Sequence, residues 1–516
     1  MFYPDERQED KAGGMMTAQR VILAIDQGTT SSRAILFSEQ GQILASKAIE
    51  FTQYFPQDGW VEHDPEEIWQ TVVSSVSEMV DHAARQSWEI LGIGITNQRE
   101  TAIIWDAETG QPIHRALVWQ DRRTADLCAR LKQAGHEPDI TARTGLLLDP
   151  YFSASKIAWM LDNVAGARAA AEAGRLRFGT LDSFLLWRLT GGKVHASDAT
   201  NASRTSLFNI HSQQWDETLL SLFRVPASLL PEVRDNAGLF GHTHADLFGT
   251  ELPVLAMIGD QQAAAVGQAC FEPGALKSTY GTGCFMIVNT GATPVVSQNR
   301  LLTTIGLRLD GQTSYALEGS IFIAGAVSQW LRDGIGLISS AAETEEIAAS
   351  LPDNQGVYMV PALTGLGAPH WSAHARGAIY GLTRDTGPAH FVRAALESVA
   401  YQTADLIAAI EADGVACGTV RVDGGMAENN WLMQFLADII DRQVERPEVT
   451  ETTALGAAML ALLAARGSGN LSELAGTWHL DRAFVPQMAA GQRADLTAGW
   501  QLAIDRTLTG LEETGT

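Results

Sequence analysis

A chain of 516 residues with 46% hydrophobic and 19% charged side chains can bury two large cores, and the balance is that of a globular protein. Its formal charge of −24, from 60 acidic and 36 basic residues, argues against nucleic acid as a partner and leaves room only for local basic pockets that take a small anion. The four cysteines are scattered without a Cys-x-x-Cys pair, which speaks against zinc or a disulfide framework and fits a reducing cytoplasm, and no run of about 18 apolar residues is present to span a membrane.

Residues 1–20 are acidic and polar and read as a disordered N-terminal extension, with Met15 or Met16 as a candidate start. The apolar run 21–25 predicts a buried strand that ends in Asp26-Gln27-Gly28-Thr29-Thr30-Ser31-Ser32-Arg33. A second strand over 34–37, a turn at Glu39-Gln40-Gly41 and a return through 43–51 make the polar stretch a hairpin tip. Gly28 permits a tight turn, and successive N–H groups with the hydroxyls of Thr29, Thr30 and Ser31 suit phosphate oxygens. Arg33 adds fixed positive charge, and Asp26 suits a hydrated Mg²⁺. No Gly-Lys-Ser/Thr follows, so this is not a Walker loop; an ordinary Ser/Thr-rich turn is the other reading.

Asp64-Pro65-Glu66-Glu67 opens a helix with a cap, a proline at the first position and a glutamate at the third. Ile68, Val72, Val73, Val76, Met79 and Val80 follow at helical spacing and belong to the core. A strand over 90–95 delivers Thr96-Asn97-Gln98-Arg99-Glu100. Adjacent opposite charges at a strand end are often a solvated rim pair; in a site, Arg99 offers donors and Glu100 acceptors to a ligand made of hydroxyl groups. A short strand is predicted over 116–119, and Asp149-Pro150-Tyr151-Phe152-Ser153 is a turn that displays a phenol. Trp119 and Tyr151, taken singly, read first as core packing.

In the middle of the chain, 254–258 is an apolar strand broken by Gly259, with Asp260 next and a helical composition from Gln261 onward. An Asp there is either a plain N-cap or a group at the carboxyl end of a strand, where ligands of open α/β sheets bind and a helix dipole favours its ionised form. Residues 274–280, Gly281-Thr282-Gly283 and 284–288 repeat the strand-turn-strand device. A strand over 419–422 ends in Asp423-Gly424-Gly425, before a helix carrying Asn429, Trp431, Leu432, Phe435 and Leu436. Paired glycines there let a nucleotide approach the backbone closely. The expectation is an α/β chain of two ribonuclease-H-like, actin-like ATPase domains, 21–268 and 269–516, with the active site in the cleft between them.

With those residues in hand, the chain resembles the FGGY carbohydrate kinases from residue 21 to about 466. The motifs that carry the likeness are Asp26 to Arg33, Gly59-Trp60-Val61-Glu62-His63-Asp64-Pro65, residues 95–100, Gly259-Asp260-Gln261-Gln262, residues 280–285, Gly365-Leu366-Gly367-Ala368-Pro369 and Val422-Asp423-Gly424-Gly425. The resemblance implies ATP-dependent phosphorylation of glycerol to sn-glycerol 3-phosphate in glycerol catabolism, with Asp260 as the catalytic general base. It implies glycerol on Arg99, Glu100, Tyr151, Asp260 and Gln261, with Trp119 and Phe285 against its hydrocarbon side. It implies ATP on Thr29, Thr30, Ser31, Arg33, Thr282, Gly325, Gln329, Gly425 and Asn429, and Mg²⁺ at Asp26 and Asp260. A cytoplasmic homo-oligomer, dimer or tetramer, goes with it, and no nucleic acid or membrane partner. Another polyol or a ketose is the alternative acceptor. ATP-driven chaperones and filament proteins share the fold without needing such a polar pocket. Two stretches depart from the pattern: residues 1–20, and the short acidic loop 245–251. Members inhibited by fructose 1,6-bisphosphate end that loop in Arg, where Glu251 stands here, and members switched by a phosphorylated His carry it where Asp246 stands. His242 and His244 lie nearby.

Overall fold

The structure is a computed structural model that describes residues 18–509 apart from Ala373. The extension predicted over 1–20 lies outside the described residues as far as position 17, and Arg20 already opens the first strand.

The first sheet contains β1 (Arg20–Gln27), β2 (Ser31–Ser38), β3 (Ile43–Glu50), β4 (Glu89–Asn97), β5 (Ala237–His242) and β6 (Pro253–Gly259), in the spatial order β5-β6-β4-β1-β2-β3. β1, β4 and β6 are parallel, and their apolar runs are buried on both faces, as parallel central strands require. The second sheet repeats the plan with β7 (Leu276–Tyr280), β8 (Cys284–Gly291), β9 (Leu302–Leu309), β10 (Gln312–Ile321), β11 (Val420–Asp423), β12 (Val444–Pro447) and β13 (Leu480–Phe484). Its order is β9-β10-β8-β7-β11-β12-β13, with antiparallel strands on one side of the first strand, where β10 is inserted between β8 and β9, and parallel β11 and β12 on the other, closed by the antiparallel edge strand β13. The expected pair of ribonuclease-H-like sheets is present.

Helix α1 (Pro65–Gln86) starts as its sequence predicts: the Asp64 side chain accepts the Glu66 N–H at 2.9 Å, and Ile68, Val72, Val76 and Met79 are buried. The segment of most consequence is α2 (Asp260–Gly267), which follows β6 directly. It crosses a helix from far down the chain, the apolar Thr452–Ala465; with Pro388–Ala412 as α3 and Asn430–Ile440 as α4, that helix is α5. A Cβ on Gly267 would lie 2.0 Å from the Thr452 carbonyl oxygen, and one on Gly456 1.9 Å from that of Ala263. The crossing is therefore backbone against backbone, which only glycine permits at those two places. α5 is buried all round because its other side covers Ile22, Ala24, Ile35 and Phe37 of the first sheet. Division of the chain at 268/269 thus assigns to the second half a helix that lies on the first half's sheet.

Local differences from the sequence reading have simple causes. β1 and β2 pair as far as Asp26 with Arg33 and Gln27 with Ser32, so the hairpin tip is Gly28-Thr29-Thr30, and Asp26, Ser31 and Arg33 stand in the paired strands. The strand expected over 116–119 is only Ala116–Leu117, since only those two residues pair with Glu62 and His63. Asn429 precedes α4 as its N-cap.

Candidate active site

The register of the first sheet sets Asp26 beside Thr96, and Thr96 beside Ile258. Three parallel strands therefore end side by side, and their carboxyl ends present Asp26, the Gln98-Arg99-Glu100 turn and Asp260 to one place. Gly259 occupies the N-cap position and Asp260 is the first residue of α2, with its Oδ1 accepting the Gln261 N–H at 2.7 Å. The plain N-cap reading of Asp260 is thereby displaced by one residue. The Gly259 N–H donates to Thr200 Oγ1 at 2.9 Å, and the Thr200 N–H donates to Asp198 Oδ1 at 2.7 Å. Asn201 and Asn97 exchange side-chain hydrogen bonds of 3.0 and 3.1 Å. The Gly259 backbone is thus held by a buried hydroxyl, and the neighbouring strand end is tied to Asn201 side chain to side chain.

Arg99 lies between two carboxylates. Its Nε is 3.0 Å from Asp260 Oδ1, a close ion pair without an aligned hydrogen bond, and Nη1 and Nη2 donate to Glu318 at 2.6 and 3.1 Å. Glu318, on β10, also accepts from Arg204 Nη2 at 2.9 Å, while Arg204 Nε donates to Glu100 Oε1 at 2.6 Å. Glu100, Arg204, Glu318 and Arg99 form a buried chain of alternating charge that ends at Asp260, the one member with a side chain 29% exposed. Burial opposes ionisation of Glu318, but the Arg204 and Arg99 guanidiniums outweigh it and hold its carboxyl down to about 2. At Glu100 burial wins over Arg204 and Arg99, and its pKa is raised. Glu100 also has φ 62°, a left-handed conformation costly for a glutamate and of the kind stored at functional sites. Neither Glu318 nor Arg204 carries a role in the sequence reading. The signal for Glu318 is a lone carboxylate inside the buried run of β10.

Trp119 and Tyr151 are half-buried and belong to this place rather than to the core. Trp119 meets Tyr151 edge-on at 5.5 Å and Phe285, from the second half, at 6.1 Å. The Trp119 indole N–H donates to Thr29 Oγ1 at 3.1 Å, tying the ring wall to the first hairpin tip. Gln261 turns its Oε1 to the ammonium of Lys277 on β7.

The second tip is Gly281-Thr282-Gly283, just ahead of Phe285 in the ring wall. The Thr282 carbonyl accepts the Ala324 and Ala326 N–H groups at 3.0 Å each, and the Gly325 N–H donates to Gly281 O at 2.9 Å. A Cβ on Gly325 would meet that oxygen at 2.5 Å and Met426 at 3.6 Å, so the Gly425 turn is adjacent. Gln329 closes the short helix Gly325–Gln329 and is exposed. Asn429 accepts the Leu432 N–H at 2.9 Å and donates to Thr344 Oγ1 at 3.2 Å, with no bond from either residue to the Thr282 tip among the described residues. Arg33 is ion-paired with Glu451, Nη1 to Oε2 at 2.6 Å, so a phosphate at Arg33 has to compete with that carboxylate.

Asp26 is the carboxylate nearest the first hairpin tip, of the oxygen-donor type that suits Mg²⁺. Its carboxyl is buried, with a pKa raised to about 6 by that burial; Arg33 lowers it, while Glu451 and Asp260 raise it further. Asp260 lies close enough to raise it, while Arg33 and Arg99 stand beside the two carboxylates. No group of three or more His, Cys, Asp or Glu is gathered for a metal among the described residues. Carboxylate oxygens without His or Cys beside them suit Mg²⁺ rather than zinc.

The model of the FGGY family of carbohydrate kinases, N-terminal domain, matches residues 21–267, and that of the C-terminal domain matches 276–465. The chain is 62% identical over 489 residues to a glycerol kinase of Rhodospirillum centenum, covering 95% of this chain and 98% of that one. It is 62% identical over 485 residues to glycerol kinase 1 of Pseudomonas aeruginosa, covering 94% and 98%. Among solved structures, the glycerol kinase of Plasmodium falciparum with ADP superposes with a TM-score of 0.91 at 38% identity, over 95% of this chain and 99% of that one. A xylulose kinase of Lactobacillus acidophilus reaches 0.86 at 20% identity and shares the fold.

Proposed function

The chain belongs to the FGGY family of carbohydrate kinases, and within it we infer that this protein transfers the γ-phosphoryl group of ATP to glycerol, yielding sn-glycerol 3-phosphate. The observation that carries this reading is 62% identity to a glycerol kinase along 95% of the chain.

In the reaction we propose, Asp260 accepts the proton of the terminal hydroxyl that attacks phosphorus. Little basicity is demanded of it, because the transition state of phosphoryl transfer is loose. Arg99, Glu100, Tyr151 and Gln261 hold the three hydroxyls, and Trp119 and Phe285 exclude water from the C–H face. Thr29, Thr30, Ser31 and Arg33 on one tip, and Thr282 with Gly325 on the other, orient the polyphosphate, with Gln329, Gly425 and Asn429 on the adenosine side. Mg²⁺ held at Asp26 and Asp260 supplies charge neutralisation on that polyphosphate. Support for these roles is the meeting of Arg99 and Asp260 at 3.0 Å, at the ends of neighbouring parallel strands. No helix among the described residues is long and apolar enough to cross a membrane, and we propose a cytoplasmic enzyme. A homo-oligomer, dimer or tetramer, is proposed from the family alone, and light scattering checks it.

The test is ADP release with and without acceptors. Turnover is expected to be low with ATP alone, high with glycerol, and low again with erythritol and xylulose. Acceptor-independent hydrolysis at the glycerol rate, as in an ATP-driven chaperone or filament protein, overturns the reading.

A separate prediction concerns control. The short helix Ala245–Phe248 is followed by Gly249 with φ 70° and by exposed Thr250 and Glu251, and the Asp246 side chain is 90% exposed. A carboxylate at 251 repels a sugar bisphosphate where an arginine would grip it with two hydrogen bonds. The expected result is a steady-state rate unchanged by millimolar fructose 1,6-bisphosphate; inhibition at sub-millimolar concentration overturns it.

A further inference from the structure

Lys277 is a fully buried lysine on β7 to which the reaction described above assigns nothing. Its Nζ lies against Gln261 Oε1, donates to Thr279 Oγ1 at 2.9 Å and has the Phe285 carbonyl at 3.4 Å. No carboxylate is within salt-bridge distance of it among the described residues. Three oxygens around one nitrogen match the three N–H groups of an ammonium. Burial lowers its pKa, and the nearby charges of Asp423 and Asp260 work to keep the proton on.

The consequence falls on Gln261. A carboxamide has an accepting end and a donating end, and either can face a ligand. An ammonium can only donate, so Lys277 fixes the oxygen end toward itself and leaves Nε2 on the other side. Among the described residues, no hydrogen bond claims Nε2. Gln261 is adjacent in sequence to Asp260, and the Gln261 N–H is itself tied to the Asp260 carboxylate at 2.7 Å. Carboxamide, base and lysine are therefore one rigid unit at the start of α2.

We infer that Lys277 is a positioning residue that sets acceptor specificity: it locks Gln261 with its N–H donors toward the substrate. The position Gln261 faces then requires an oxygen that can accept, as in a hydroxyl or carbonyl, and rejects an ammonium. This rests on the glycerol kinase reading given above.

The experiment compares Lys277→Met, Lys277→Arg, Gln261→Leu and the double variant K277M/Q261L in steady-state assays. The acceptors are glycerol, 2-amino-1,3-propanediol and 3-amino-1,2-propanediol. Losing one oriented hydrogen bond is expected to raise the glycerol KM of K277M about tenfold. Its kcat changes by less, its ATP KM is unchanged, and Lys277→Arg, which keeps the donors, recovers most of the loss. In the double variant KM is no higher than in Q261L, because Lys277 acts through Gln261. In K277M the preference for glycerol over at least one aminodiol narrows, since the amide is free to turn. An unchanged glycerol KM in K277M, multiplying effects in the double variant, or an unchanged preference against both aminodiols overturns the inference. Lys277→Gln, whose amide lets Gln261 turn, is run in parallel in case the methionine variant fails to fold. Should the wild type prefer another polyol, the glycerol reading falls while the same cycle, run with that polyol, still decides the role of Lys277.

Discussion

Asp260→Asn is expected to lower kcat by at least about 10²-fold, the low end for loss of a positioned proton acceptor. The amide matches the carboxylate in shape, and its oxygen can still take the Gln261 N–H that Asp260 Oδ1 accepts at 2.7 Å, so the start of α2 is kept. What is lost is the capacity to accept the proton of the attacking hydroxyl. The charge opposite Arg99 Nε, 3.0 Å away, is lost as well, so a rise in glycerol KM accompanies the fall in kcat. Single-turnover measurement with saturating glycerol separates the two. A purified, folded variant that phosphorylates glycerol at close to the wild-type rate removes Asp260 from the role of base.

The place of Asp260 was legible in the sequence, because an apolar strand, one glycine and a helical run put it at a strand-to-helix junction, but that pattern alone left a plain N-cap open, and the structure gives the cap position to Gly259. The hairpins were legible for the same local reason, although the first is tighter than its composition indicates: Asp26 and Arg33 face each other across paired strands. The partners of the site were not legible. Glu318 meets Arg99 across 219 positions and Arg204 across 114, and nothing local to β10 announces which cation its carboxylate serves. Trp119, Tyr151 and Phe285 were legible only through the family resemblance, since Trp119 and Tyr151 taken singly read as core packing, and the three rings meet only where the two halves come together. α5 shows the same limit at the level of a whole element. Its apolar composition names no partner, and Gly267 against Thr452 and Gly456 against Ala263 let it touch α2 backbone to backbone.

Glu318→Gln is expected to cost about 3–5 kcal/mol of stability, the range for removing one partner of a buried ion pair. Glu318 is the shared acceptor of two guanidiniums, taking Arg99 Nη1 and Nη2 at 2.6 and 3.1 Å and Arg204 Nη2 at 2.9 Å. A glutamine there keeps one accepting oxygen and turns an NH₂ group toward a cation that can only donate. Arg99 retains a 3.2 Å bond from Nη1 to Gln262 Oε1, too little to hold its plane. The residue released is the one whose Nε stands beside Asp260, so the loss reaches the chemistry as well as the fold. Glycerol KM is expected to rise at least tenfold, roughly the worth of one hydrogen bond to a charged group. The carboxyl of Glu318 is held down to about 2 by Arg204 and Arg99 against its burial, so its ionised form is favoured well below the usual carboxylate range. Lowering the pH of the wild type to 5 therefore does not reproduce the variant, because Glu318 is still ionised there. Urea unfolding and glycerol KM measured on the same preparation check both parts. A variant as stable as the wild type with an unchanged KM shows that Arg99 is oriented by Asp260 and Gln262 alone.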